Sequence, residues 1–140
     1  MDIIQILVQK GILPQTEVSK VTEDAVSSGI TIEEALIRHG IKPIEILKIK
    51  GEHFDIPVKN LEGVDIDSKV LEYVAEDSVL HYKFIPIAVN NGMLEIGMVD
   101  PDDIEARDAL NFIASKTGLP FKIFLISQND FDKVSALYKG

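Results

Sequence analysis

The feature that most restricts what this chain can fold into is an internal repeat in its first third. Residues 7–18 read Leu-Val-Gln-Lys-Gly-Ile-Leu-Pro-Gln-Thr-Glu-Val, and residues 36–47 read Leu-Ile-Arg-His-Gly-Ile-Lys-Pro-Ile-Glu-Ile-Leu. They align at a shift of 29 positions, with Leu7 on Leu36, Gly11 on Gly40, Ile12 on Ile41 and Pro14 on Pro43. Val8/Ile37 and Val18/Leu47 keep apolar character. A fixed period of this size marks one supersecondary unit used twice.

Each copy reads as a helical hairpin. Ile3, Ile4, Leu7 and Val8 form the apolar stripe of a short helix. Gly11 accepts the left-handed conformation that ends a helix, after which Ile12 and Leu13 turn back toward the core. Pro14 suits the first turn of the next helix, over 15–27, with Val18, Val21, Thr22 and Ala25 inward. In the second copy Thr31 caps a helix carrying Ala35, Leu36 and Ile37, with Glu33 and Glu34 in its favoured first turn. Gly40 stops it. Pro43 opens a helix to about Gly51 that offers Ile44, Ile46, Leu47 and Ile49 for burial. Residues 1–54 are thus predicted to be a four-helix repeat subdomain of two hairpins.

Beyond residue 54 the pattern changes. Residues 54–58 read as extended, 67–76 as helical with a further turn near 77–81, and 84–89 as a strand. Asn90-Asn91-Gly92 is a hairpin turn leading into a paired strand over 93–99. Ile104 to about Lys116 carries Ile104, Ala106, Ala109, Leu110 and Ile113 at helical spacing. A third strand over 121–126 and a final helix with Phe131, Val134, Leu137 and Tyr138 complete the chain. Residues 55–140 are therefore a small α+β subdomain with about three strands. With no long linker between the halves, the repeat is expected to pack on it.

Little in the sequence promises chemistry. His39, His53 and His81 lie at no zinc-ligand spacing. Asp100-Pro101-Asp102-Asp103 is acidic but lacks the spacing and closing glutamate of a calcium loop, and reads as turn-and-cap chemistry. Glycine-rich phosphate loops and the nucleophile elbow are missing from the sequence, which lowers the prior for an enzyme. No metal and no cofactor are expected. A net charge of −9 disfavours nucleic acid and anionic lipid, and favours a basic protein partner. With no cysteine, no apolar run near the roughly 20 residues of a membrane span and no basic leader, the expectation is a cytoplasmic protein that does not insert in a membrane.

Three stretches together resemble the N-terminal domain of the motor ATPases of type II secretion and type IV pilus assembly. They are the doubled unit at Leu7–Pro14 and Leu36–Pro43, the junction Gly51-Glu52-His53-Phe54-Asp55-Ile56-Pro57, and Ile85-Pro86-Ile87 followed by Leu94 to Pro101, with Tyr138 near the end. The resemblance implies a non-catalytic accessory domain that docks a motor onto inner-membrane platform proteins. The motor ATPase itself is a second implied partner. No Walker motif is present, so the chain reads either as an excised domain or as a stand-alone relative that competes for the same platform partner.

One branch of that family binds cyclic di-GMP through the repeat, using an Arg-Leu-Gly at the start of each unit and a Gln at the end of each second helix. Here Asp2-Ile3-Ile4 and Thr31-Ile32-Glu33 stand in place of the former, and Ala25 and Phe54 in place of the latter. An arginine fork and a close backbone approach are thereby lost, and acids in their place repel phosphate. This argues against cyclic di-GMP, which stays the alternative reading. Gly11 and Gly40, the degenerate repeat turns, are read as helix stops before binding residues.

Overall fold

The computed structural model describes residues 2–139 and divides the chain into two compact units, Met1–His53 and Phe54–Gly140. In the first, α1 spans Ile3–Gln9, α2 Val18–Ser28, α3 Ile32–Arg38 and α4 Pro43–Phe54, with a short 3₁₀ turn over Gln15–Glu17 before α2.

The repeat extends to the hydrogen bonds at its turns. Asp2 caps α1 by accepting the Gln5 N–H at 3.2 Å, and Thr31, 29 positions on, caps α3 by accepting the Glu34 N–H at 3.0 Å. After α1, the Ile12 N–H reaches the Leu7 carbonyl (2.9 Å) and the Gly11 N–H that of Val8 (3.0 Å). After α3, Ile41 reaches Leu36 and Gly40 reaches Ile37, both at 3.0 Å. This nested pair of bonds needs a residue at positive φ, and Gly11 (73°) and Gly40 (99°) supply it. Each turn folds an isoleucine back onto the core of this unit, which is built on Leu7, Val21, Ala35 and Leu36, all fully buried.

Three expectations for this unit are corrected. Gly51 is a buried residue inside α4, and Asp55, at φ 55°, follows the helix end instead. Ile37 and Ile44 face solvent, because Leu36, Ile46 and Ile49 already fill the narrow inward arc of their short helices. Pro14 precedes the 3₁₀ turn rather than lying within a regular helix.

The second unit holds α5 (Ser68–Leu71), α6 (Glu76–Tyr82), β1 (Phe84–Asn90), β2 (Met93–Met98), α7 (Ile104–Thr117), β3 (Phe121–Leu125) and α8 (Gln128–Ser135). β1 and β2 pair antiparallel around Asn91 and Gly92, both at positive φ. β2 and β3 pair parallel, with α7 as the crossover, giving the sheet order β1-β2-β3. Residues 57–59 lie along the outer edge of β3, where Leu125 exchanges hydrogen bonds with Pro57 and Lys59. Phe84, Leu94, Ile96 and Met98 face the core with Ala106 and Leu110 of α7 and Phe131 of α8.

The helix expected over 67–76 is broken after Leu71, and α6 begins only at Glu76. In one continuous helix Val74 and Val79 would point about 140° apart at 100° per residue. Both are fully buried, so the chain reorients between them. Ile104, expected in the core, lies on the solvent side of α7, opposite Ala106 and Leu110.

Candidate functional site

The residues singled out by the repeat are used for folding. Asp2 and Thr31, at the positions where the resemblance would place Arg-Leu-Gly, serve as helix caps. A Cβ built on Gly11 or Gly40 would meet nothing within 4 Å, so their need is for positive φ and not for close approach. A groove of about 420 Å³ is walled by Asp2, Ile4, Gln5, Val8, Gln9, Gln15 and Val18, with neither glycine among them. Its one charged wall residue is an acid.

The acidic turn is likewise structural. Asp100 accepts the Asp102 N–H at 3.1 Å, and Asp103 caps α7 by accepting the Ala106 N–H at 3.2 Å. Among the described residues no group of three or more His, Asp or Glu side chains could hold a metal. His39 contacts the Asp24 carboxylate at 3.3 Å. The Ser28 hydroxyl first, then Arg38 and His39, hold that carboxyl below its usual range, which ties α2 to α3.

The second unit carries features the sequence did not announce. On the solvent face of α7, Ile104 and Phe112 are 75% and 67% exposed, with Asp108 between them at i+4. Large apolar side chains this exposed on one helix face mark an interaction surface more readily than scattered ones do. The signal was available in the helical angle: Ile104 lies opposite Ala106. Charge gathers in the same region. Between Glu62 and Asp108 twelve carboxylates meet three cations, so this stretch carries the whole net charge of −9 and the rest of the chain is balanced.

A second groove, of about 400 Å³, is walled by Leu71, Glu72, Val74, Ala75, Glu76 and Tyr138. The Tyr138 hydroxyl donates to the Leu71 carbonyl at 3.0 Å. Burial, and then the charge of Glu76, push this phenol up to about 12. Because the folded value lies above the ordinary 10.0, this group's share of stability is fully present below pH 10 and is lost as pH rises through about 12. A phenolate absorbance titration should therefore show one tyrosine ionising late, and Tyr138→Phe should remove that step.

Two contacts, one buried and one half-buried, tie the segment around 59–61 to α8 and to β2 and escaped the sequence reading. Asp130 is buried and accepts the Leu61 N–H at 2.9 Å from 69 positions away. Asp130→Ala leaves that donor unpaired and is expected to lower stability by about 1–3 kcal/mol in urea unfolding. Lys59 pairs with Glu95 at 2.8 Å and sits 4.5 Å from the centre of the Phe124 ring. This hydrogen bond is the leading reason that Glu95 titrates below its usual range.

Comparisons with known proteins fit this architecture. A family model of the MshEN domain matches residues 54–138, more than half of the chain. The type IV pilus assembly ATPase PilB of Myxococcus xanthus (strain DK1622) is 23% identical over 110 residues. That alignment covers 78% of this chain and 19% of PilB, so the chain spans about a fifth of that relative. A structure of MshE with cyclic di-GMP superposes with a TM-score of 0.73 at 19% identity, covering 99% of both chains. The N-terminal domain of XpsE superposes with a TM-score of 0.61 at 18% identity, covering 96% of this chain and 91% of that one. At such identities the superpositions establish the fold, and the family match establishes the kinship. The chain belongs to the MshEN domain family, that of the N-terminal domains of type II secretion and type IV pilus ATPases.

Proposed function

We propose that this chain is a non-catalytic regulatory domain that docks on the cytoplasmic part of an inner-membrane platform protein of a secretion or pilus system. The observation that carries this reading is the exposed Ile104–Asp108–Phe112 stripe at the end of the acidic stretch. It offers two apolar anchors amid negative charge, the complement of a basic amphipathic segment. No helix among the described residues is long and apolar enough to cross a membrane, so recruitment to the inner membrane falls to the partner. The motor ATPase is the other partner this reading includes, and the cytoplasm is where it places the domain. Titration of the chain against the cytoplasmic domains of platform proteins tests it. Binding should weaken at least tenfold in the double variant Ile104→Glu/Phe112→Glu, with unchanged thermal stability, since both side chains are exposed. Absence of binding to every platform domain counts against the reading.

Cyclic di-GMP sensing is the second reading. The fold shared with MshE bound to that nucleotide favours it, as do the Gln5, Gln9 and Gln15 amides beside α1. Against it stands the lack of any cation in that groove, since phosphates need charged donors there. Calorimetry with cyclic di-GMP decides: no heat at high nucleotide concentration removes this reading.

A further inference from the structure

The groove of the second unit is chemically incomplete. Its floor is apolar, from Leu71, Val74, Ala75 and the Tyr138 ring, and its walls carry the carboxylates of Glu72 and Glu76. One Glu76 oxygen, Oε2, is buried and has no hydrogen-bond partner. Neither glutamate forms an ion pair with a cation among the described residues. Tyr138 cannot answer Glu76, because its hydroxyl is committed to the Leu71 carbonyl. A carboxylate with one buried oxygen lacking a donor is costly to keep, and a cation placed beside that carboxylate in the groove would offset its charge.

From this we infer that the groove receives an arginine side chain of a partner protein, flanked there by aliphatic residues. A guanidinium presents five N–H donors in a planar fork, enough for Glu76 and Glu72 together. Its plane stacks on a ring such as Tyr138, and its aliphatic stem covers an apolar floor such as Leu71 and Val74. Lysine matches less well, being a strongly hydrated point charge without a plane to stack. Aliphatic side chains close to these residues in the chain are open to solvent. Leu80, one turn from Glu76 on the same face of α6, is 48% exposed, as is Leu137 beside Tyr138. The acidic stretch from Glu62 to Asp108 encloses α5 and α6 and draws a basic segment toward them. The Tyr138 phenol, raised first by its burial and then by the nearby Glu76, agrees with this.

The inference depends on the docking reading only in taking the occupant to be a protein chain. It is tested without the platform partner, by NMR titration of the whole chain with the peptide acetyl-Leu-Arg-Leu-amide and its citrulline counterpart. The arginine peptide should shift the amides of 71–76 and 138 saturably in the millimolar range. The citrulline peptide and the Glu76→Gln variant should each bind at least tenfold more weakly, and Tyr138 should ionise earlier in Glu76→Gln. Equal binding of both peptides, undiminished binding by Glu76→Gln, or no saturable shift overturns the inference. So does self-association that the peptide fails to dissolve, which gives the groove to a second copy of the chain. Failure here together with binding to a platform domain would leave the docking reading standing. Success here with no platform binding would do the reverse.

Discussion

Phe84→Ala is expected to lower the stability of the second unit by about 3–5 kcal/mol, the largest effect of any single truncation considered. Phe84 opens β1, is fully buried and faces Met98 across the hairpin. Its ring stacks on Tyr82, with centroids 5.4 Å apart and planes 19° from parallel. Truncation loses the transfer energy of the ring, leaves a cavity and removes a stacking pair itself worth about 0.5–1.5 kcal/mol. Total stabilities of about 5–15 kcal/mol leave little after such a loss. The same deletion at Phe112, on the open face of α7, should change stability by less than about 0.5 kcal/mol. Paired urea unfolding curves of the two variants check both numbers. Similar losses at the two positions would mean that the core is assigned to the wrong face of α7.

The repeat makes the second large prediction. Leu7 and Leu36 are equivalent, both fully buried, and the carbonyl of each accepts the hydrogen bond that closes its helix turn. Leu7→Ala and Leu36→Ala should therefore each cost about 2–5 kcal/mol. The neighbouring Ile37→Ala should cost far less, since Ile37 is exposed. A unit of this size buries only a modest share of its surface, so either leucine variant should bring it close to unfolding. Hydrogen exchange read across residues 3–49 checks this. Protection should fall by orders of magnitude in both leucine variants and hold in Ile37→Ala.

These cases show what a sequence of this kind makes legible. Where a feature depends on local chemistry, it can be read directly: the caps at Asp2 and Thr31, the left-handed glycines and the Asn91-Gly92 turn follow from neighbouring residues alone. The α+β class and the three strands followed from periodicity. What stayed hidden depends on partners distant in the chain. The parallel pairing of β2 with β3 is decided by where α7 returns the chain, which no turn signal records. The break between α5 and α6 arises because Val74 and Val79 must both be buried. Asp130 meets Leu61 only once the fold has formed. Both grooves are also tertiary: α1 and the Gln15 turn build one, and Tyr138 closes the other against residues nearly 70 positions earlier.

The replaced positions in the repeat bear most on function. Asp2 and Thr31 cap helices where a nucleotide-binding relative would hold an arginine fork, and the groove beside α1 has amides but no cation. The whole of the net charge lies instead in the second unit, between residues 62 and 108, next to the exposed Ile104 and Phe112 of α7. In the proposed function the working surface is therefore on the α+β unit and not on the repeat. The most direct measurement is side-by-side calorimetry of the chain with the cytoplasmic domain of a platform protein and with cyclic di-GMP. The account predicts heat with the protein, lost in Ile104→Glu/Phe112→Glu, and none with the nucleotide. Heat with cyclic di-GMP and none with any platform domain would contradict it.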